Sequence, residues 1–99
     1  MPFRLLFSDE ARGVLGQLTQ DASQTRKLKK IQKTLGLLET DPRHPGLRVH
    51  PFRSLAGPSG TQLWEAYVEN RTPGAWRIWF AYGPERGEIT ILAIGPHPD

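Results

Sequence analysis

Hydrophobic positions repeat along this chain with two different periods, and the change of period divides it into elements. Residues 3–7, Phe-Arg-Leu-Leu-Phe, form a short apolar run that predicts a strand. Ala11, Val14, Leu15 and Leu18 then recur at helical spacing. Ser8 stands where an N-cap is needed, and Asp9 and Glu10 follow at the positive end of the helix dipole. The pattern breaks around Asp21-Ala22-Ser23. A second helical stripe runs through Leu28, Ile31, Leu35 and Leu38, and it must stop before Pro42, whose ring disfavours helical geometry at Asp41. Two helices joined by a short turn make an αα-hairpin.

From residue 63 onward the period falls to two. Residues 63–69, 75–82 and 88–94 are rich in β-branched and aromatic side chains, and the Gly- and Pro-containing stretches 70–74 and 83–87 separate them as turns. Residues 42–60 contain four prolines and three glycines and read as a long ordered loop or a short edge segment. The expected fold is α+β in the order β-α-α-β-β-β, one domain over residues 1–99. Its helix hairpin packs on one face of a small, mostly antiparallel sheet.

Alternation sorts the strand residues into two faces. Trp64, Ala66 and Val68, with Trp76, Ile78, Phe80 and Tyr82, belong to the face assigned to the helices, together with Leu92 and Ile94. The opposite face collects Glu65, Tyr67, Glu69, Arg77 and Trp79, together with Ile91, Ala93, Gly95 and, if the last strand persists, His97. An arginine between Trp76 and Ile78 calls for a reason. A cross-strand pair with Glu65 or Glu69 supplies one, and it leaves room for a site on the same face.

Charge and composition narrow the chemistry. The chain of 99 residues is 37% hydrophobic and 23% charged, which suits one small core and neither a disordered tail nor a membrane span. It has no cysteine, which excludes disulfide scaffolds, thiolate zinc sites and thiol catalysis and fits the cytoplasm as the expected location. The opening residues run into Asp9-Glu10 too soon for a signal peptide. The net charge of +3 is modest but concentrated. Arg26, Lys27, Lys29, Lys30 and Lys33 follow one another without an acid, as do Arg43, His44, Arg48, His50 and Arg53. The three histidines match no standard zinc spacing, so no metal or other cofactor is expected.

Particular residues also carry a family likeness. The start Phe3-Arg4-Leu5-Leu6-Phe7-Ser8-Asp9-Glu10-Ala11 is one segment, and the Lys-rich helix ending before Asp41-Pro42-Arg43 is a second. Leu63-Trp64-Glu65-Ala66-Tyr67, Trp76-Arg77-Ile78-Trp79-Phe80 and the closing Ile89 to His97 complete the pattern. Together they resemble the RelE/ParE toxin superfamily, in its RelE-like branch, over nearly the whole chain. The resemblance implies a toxin of a toxin–antitoxin pair, with a cognate antitoxin, mRNA and the ribosome as partners and no membrane. RelE-like members cleave mRNA, typically in the ribosomal A site, whereas ParE-like members poison DNA gyrase and lack the nuclease residues. Arg77, His97 and Glu65 match family positions. Tyr67 stands where many relatives have an arginine, and Pro98-Asp99 where many have a tyrosine. A gyrase-directed toxin and a non-toxic interaction domain of the same fold therefore stay open as alternatives.

Metal-free RNA cleavage needs a base for the ribose 2′-OH, an acid for the leaving 5′-oxygen and a cation for the crowded phosphorane. His97, or a histidine of the loop, suits proton transfer because imidazole titrates near neutrality. Arg77 suits the phosphate through its planar fork, and Glu65 is either a base or the group that holds Arg77. Tyr67 and Trp79 offer faces for unpaired bases. Lys30, Lys33, Arg43, Arg48, His50 and Arg53 are the expected contacts to backbone phosphates.

Overall fold

A computed structural model of the protein describes residues 2–97. Five strands form one sheet: β1 (Arg4–Phe7), β2 (His50–Phe52), β3 (Leu63–Tyr67), β4 (Trp76–Tyr82) and β5 (Glu88–Pro96). Their spatial order is β1-β5-β4-β3-β2. β1 runs parallel to β5, and every other pairing is antiparallel. Two helices, α1 (Asp9–Gln20) and α2 (Thr25–Thr40), form the hairpin between β1 and β2. This is the expected α+β order with one addition, because the loop over 42–60 contains the short edge strand β2.

Local chemistry sets the helix boundaries. Ser8 caps α1 by accepting the backbone N–H of Ala11 at 3.0 Å, and its hydroxyl donates to the carbonyl of Leu92 at 2.7 Å. A cap of this kind contributes about 1 kcal/mol, and here it also ties the helix start to β5. α2 ends at Thr40, one residue before the Asp41-Pro42 pair. The apolar stripes of both helices meet the sheet, so Ala11, Leu18, Ile31 and Leu38 join Ala66, Ile78, Phe80, Ile89, Ile91 and Ile94 in one core.

The last strand departs from simple alternation. Trp79 pairs with Ala93 but Phe80 pairs with Ile91, so Leu92 is an extra, unpaired residue in β5. A bulge of this sort swaps the faces on its two sides. Ile91, expected beside the polar residues, lies opposite Phe80 and is fully buried in the core. Leu92, expected in the core, lines a groove beside Trp79. Ala93 and Gly95 keep their expected face, opposite Trp79 and Arg77. Among the described residues no helix is long and apolar enough to cross a membrane.

Candidate functional site

The sheet face away from the helices is organised around one carboxylate. Register places His50, Glu65 and Trp79 side by side on β2, β3 and β4, with Tyr67 beside Arg77 one step along. Glu65 is only 2% exposed. One carboxylate oxygen lies 2.9 Å from His50 Nε2, and the other accepts the Trp79 indole N–H at 2.9 Å. His97 Nε2 lies 3.6 Å from that second oxygen, and Arg77 Nε lies 3.9 Å from the first. The end of β5 brings His97 into place, where its backbone N–H donates to the carbonyl of Ala75 at 2.9 Å.

Each ring nitrogen of His50 has a partner in this geometry. Its Nδ1 lies 2.8 Å from the carbonyl oxygen of Arg48, and its Nε2 faces the Glu65 carboxylate. Both partners are acceptors, so whichever ring nitrogen carries a proton has a group to donate it to. The backbone of Arg48 makes this possible. It adopts a left-handed conformation, φ 50°, at the end of the short turn Pro45–Leu47. Glu65 is thus a buried acidic side chain with an imidazole on each side and an arginine nearby.

Arg77 is far less open than its position opposite the core implies. It is 8% exposed, and its guanidinium lies 3.7 Å from the centre of the Tyr67 ring. One terminal nitrogen donates to the backbone carbonyls of Glu69 at 2.5 Å and Trp76 at 3.1 Å. Its Nε is buried without a hydrogen-bond partner and faces Glu65. Of the two cross-strand partners weighed for this arginine, Glu65 faces it with its carboxylate, whereas Glu69 engages it only through its backbone carbonyl. On the same side, Arg48 stands 5.8 Å from the Tyr67 ring, and Arg48 is exposed.

A second cluster occupies the β3–β4 end. Glu69 accepts from Lys27 at 2.8 Å, Lys30 at 3.2 Å and the Trp76 backbone N–H at 3.1 Å. Burial works to raise the Glu69 carboxyl, but the lysines and that N–H outweigh it and hold the group below its ordinary range. Lys30, expected on RNA, is thus engaged with Glu69, while Lys33 is exposed on α2. Arg53 is exposed just beyond β2. Arg43 lies apart from Glu65, in a cleft formed with Trp64 and Tyr82. Trp79 has Glu65 on its N–H side, and its flank borders an apolar groove of about 440 Å³ with Phe52, Leu63 and Leu92. Among the described residues no group of three or more His, Asp or Glu side chains is arranged to hold a metal ion.

No family model matches the sequence, and no curated protein is similar to it in sequence. Solved structures do match its fold. The archaeal RelE–RelB complex from Pyrococcus horikoshii contains a chain that superposes with TM-score 0.64 at 16% identity, over 97% of this chain and 96% of that one. A YoeB/ParE toxin from Agrobacterium tumefaciens gives TM-score 0.69 at 12% identity, over 96% of this chain and 99% of that one. The chain has the RelE/ParE toxin fold. YafQ from E. coli shares it with TM-score 0.63 and 16% identity, over 96% of this chain and 93% of that one.

Within this RelE/ParE fold, Glu65, Arg77, His97, Tyr67 and Trp79 share one face, and His50 joins them. Sequence reasoning named His50 among the phosphate contacts and allowed a loop histidine the proton-transfer role, without linking His50 to Glu65. The missed signal is His50-Pro51-Phe52, an alternating tripeptide whose proline is tolerated on an edge strand. Pairing that strand with β3 puts His50 opposite Glu65. The ends of the chain at Pro98-Asp99, where a tyrosine was compared, lie outside the described residues.

Proposed function

We propose that this chain is the toxin of a toxin–antitoxin pair and a metal-free endoribonuclease acting on ribosome-bound mRNA. The observation that supports this reading is the pair of histidines flanking buried Glu65, at 2.9 and 3.6 Å. Two imidazoles on one carboxylate supply both proton transfers that 2′-OH attack requires. His50, part-exposed beside Glu65, is the acid that protonates the leaving 5′-oxygen, releasing one of its two protein contacts to reach it. His97 is the base that takes the 2′-OH proton. Glu65 orients both rings and stabilises the imidazolium that forms.

Attack by the 2′-oxygen on phosphorus breaks the bond to the 5′-oxygen, leaving a 2′,3′-cyclic phosphate and a free 5′-hydroxyl. Exposed Arg48 meets the phosphate in this scheme, while Arg77, packed beneath Tyr67, holds the ring and adds positive charge. Tyr67 and Trp79 receive the flanking bases. The antitoxin silences the protein by covering this face. These roles rest on the side-chain geometry; the fold alone hosts more than one activity.

Induced expression tests the reading. The wild-type chain is expected to arrest growth and to produce discrete breaks within translated messages. A His50→Ala, His97→Ala double variant is expected to do neither. Unimpaired growth with abundant wild-type protein would overturn the toxin reading. Growth arrest with intact messages would instead support gyrase inhibition, the reading that the burial of Arg77 favours.

A further inference from the structure

The cleft on the other side of the β2 edge has a composition that the proposed active face does not use. It has a volume of about 530 Å³, within the size range of small-ligand sites. Trp64 and Tyr82 form an aromatic corner, with ring centres 6.0 Å apart and planes at 76°. Arg43, His44 and Arg48 line the rest, along with prolines and Val49, and no acid is among the lining residues. Tyr82 is 42% exposed although three aromatic rings lie beside it. Burial raises the Tyr82 phenol above its ordinary range, and the Arg43 charge nearby pulls the other way.

The donors of this cleft are available. His44 Nδ1 accepts the Gly46 backbone N–H at 3.0 Å, which leaves Nε2 as the proton-bearing nitrogen of the neutral ring. Asp41, at the neighbouring rim, accepts the Arg43 backbone N–H at 3.1 Å and so fixes the turn that presents this arginine. Aromatic faces beside guanidinium groups and an N–H donor, with no acid among them, match a nucleobase with its phosphate. They do not match an apolar helix, which would leave both arginines unpaired.

Arg48 connects the two surfaces. It forms part of the cleft wall, its guanidinium stands over Tyr67, and its carbonyl accepts from His50. We infer that the cleft is a second nucleotide-binding site for single-stranded RNA, so that a strand cut at the Glu65 face continues over the β2 edge and stacks a base on the exposed Tyr82 ring, beside Trp64. This rests on the ribonuclease reading and extends it to the length of RNA engaged.

The test is binding of 2′-O-methyl RNA, which lacks the attacking hydroxyl and stays intact. Strands of about twelve and about four nucleotides bracket the expected span. The wild-type chain is expected to bind the longer strand at least tenfold more tightly, and Arg43→Glu is expected to shrink that ratio to about twofold. A photoreactive uridine placed a few nucleotides from the cut is expected to crosslink to Tyr82 or Trp64 in the wild-type chain, a readout that survives any instability of the variant. An unchanged length ratio in folded Arg43→Glu, or crosslinks only to the Glu65 face, would overturn the second site. Failure of the ribonuclease reading is separately visible, as absence of cleavage of ordinary RNA of either length.

Discussion

Replacing Glu65 with glutamine changes one atom and should redistribute protons through the site. In the wild-type chain the carboxylate accepts from Trp79 and from His50, each at 2.9 Å. A glutamine of the same shape has one acceptor and one donor end. Its oxygen can keep the Trp79 N–H, and its amide nitrogen then faces His50 Nε2. That contact is satisfied if His50 gives up the Nε2 proton and accepts, keeping its Nδ1–H on the Arg48 carbonyl. Hydrogen bonds to a charged partner contribute roughly 1.5–3 kcal/mol and neutral ones about 1, so the exchange of two bonds costs about 1–3 kcal/mol of stability. On the proposed mechanism the catalytic cost is larger, because His50 loses the carboxylate that orients it; a loss of about 100-fold is the scale of a removed acid–base group. Nitrogen-15 NMR of the imidazoles reports the change directly. In Glu65→Gln the neutral His50 ring should be in its Nδ1–H form, donating to the Arg48 carbonyl. Thermal melting gives the stability term. An Nε2–H tautomer of His50 in the variant, or full cleavage by it, would refute the reasoning.

Arg77→Ala removes a charged donor to the carbonyls of Glu69 and Trp76 and the cation stacked on Tyr67. It should destabilise the fold by about 2–4 kcal/mol, and Arg77→Lys should recover only part, since an ammonium lacks the planar fork. Unchanged melting would show that the buried guanidinium contributes nothing. Glu69 gives a pH dependence. Its carboxyl is held below the ordinary range in the fold, so its contribution is fully present above the unfolded value and is lost as pH falls through the folded one. The melting curves of wild type and Glu69→Gln should therefore converge on acidification, and a gap that stays constant with pH would contradict the ion-pair account. Binding to RNA should weaken steeply with salt, with a slope of about 0.7 per single-strand phosphate neutralised, and the double variant Arg48→Ala, Arg53→Ala should flatten it. An unaltered slope would remove those two arginines from the RNA path.

The elements that follow a single period were legible in the sequence. The stripes of α1 and α2, the Ser8 cap and the stop before Pro42 follow from local chemistry and needed no tertiary information. The two failures have tertiary causes. The bulge at Leu92 depends on how β5 meets β4 and on the Ser8 hydroxyl taking the Leu92 carbonyl, so strict alternation sent Ile91 to the wrong face. His50 became a neighbour of Glu65 only through pairing of a three-residue edge strand with β3, across 15 positions of chain. Glu65, Arg77 and Trp79 could be grouped beforehand because they occupy adjacent strands with the same parity. The burial of Arg77 under Tyr67 could not, since that depends on rotamers rather than on register.

The most direct test of the account is cleavage of a ribosome-bound message by purified chain in excess chelator, with the product ends identified. The account predicts 2′,3′-cyclic phosphate and 5′-hydroxyl ends from the wild-type chain. It also predicts rates about 100-fold lower for His50→Ala and for His97→Ala, both still folded by thermal melting. Cleavage that requires an added metal ion, products with 3′-hydroxyl ends, or full activity in both histidine variants would contradict it.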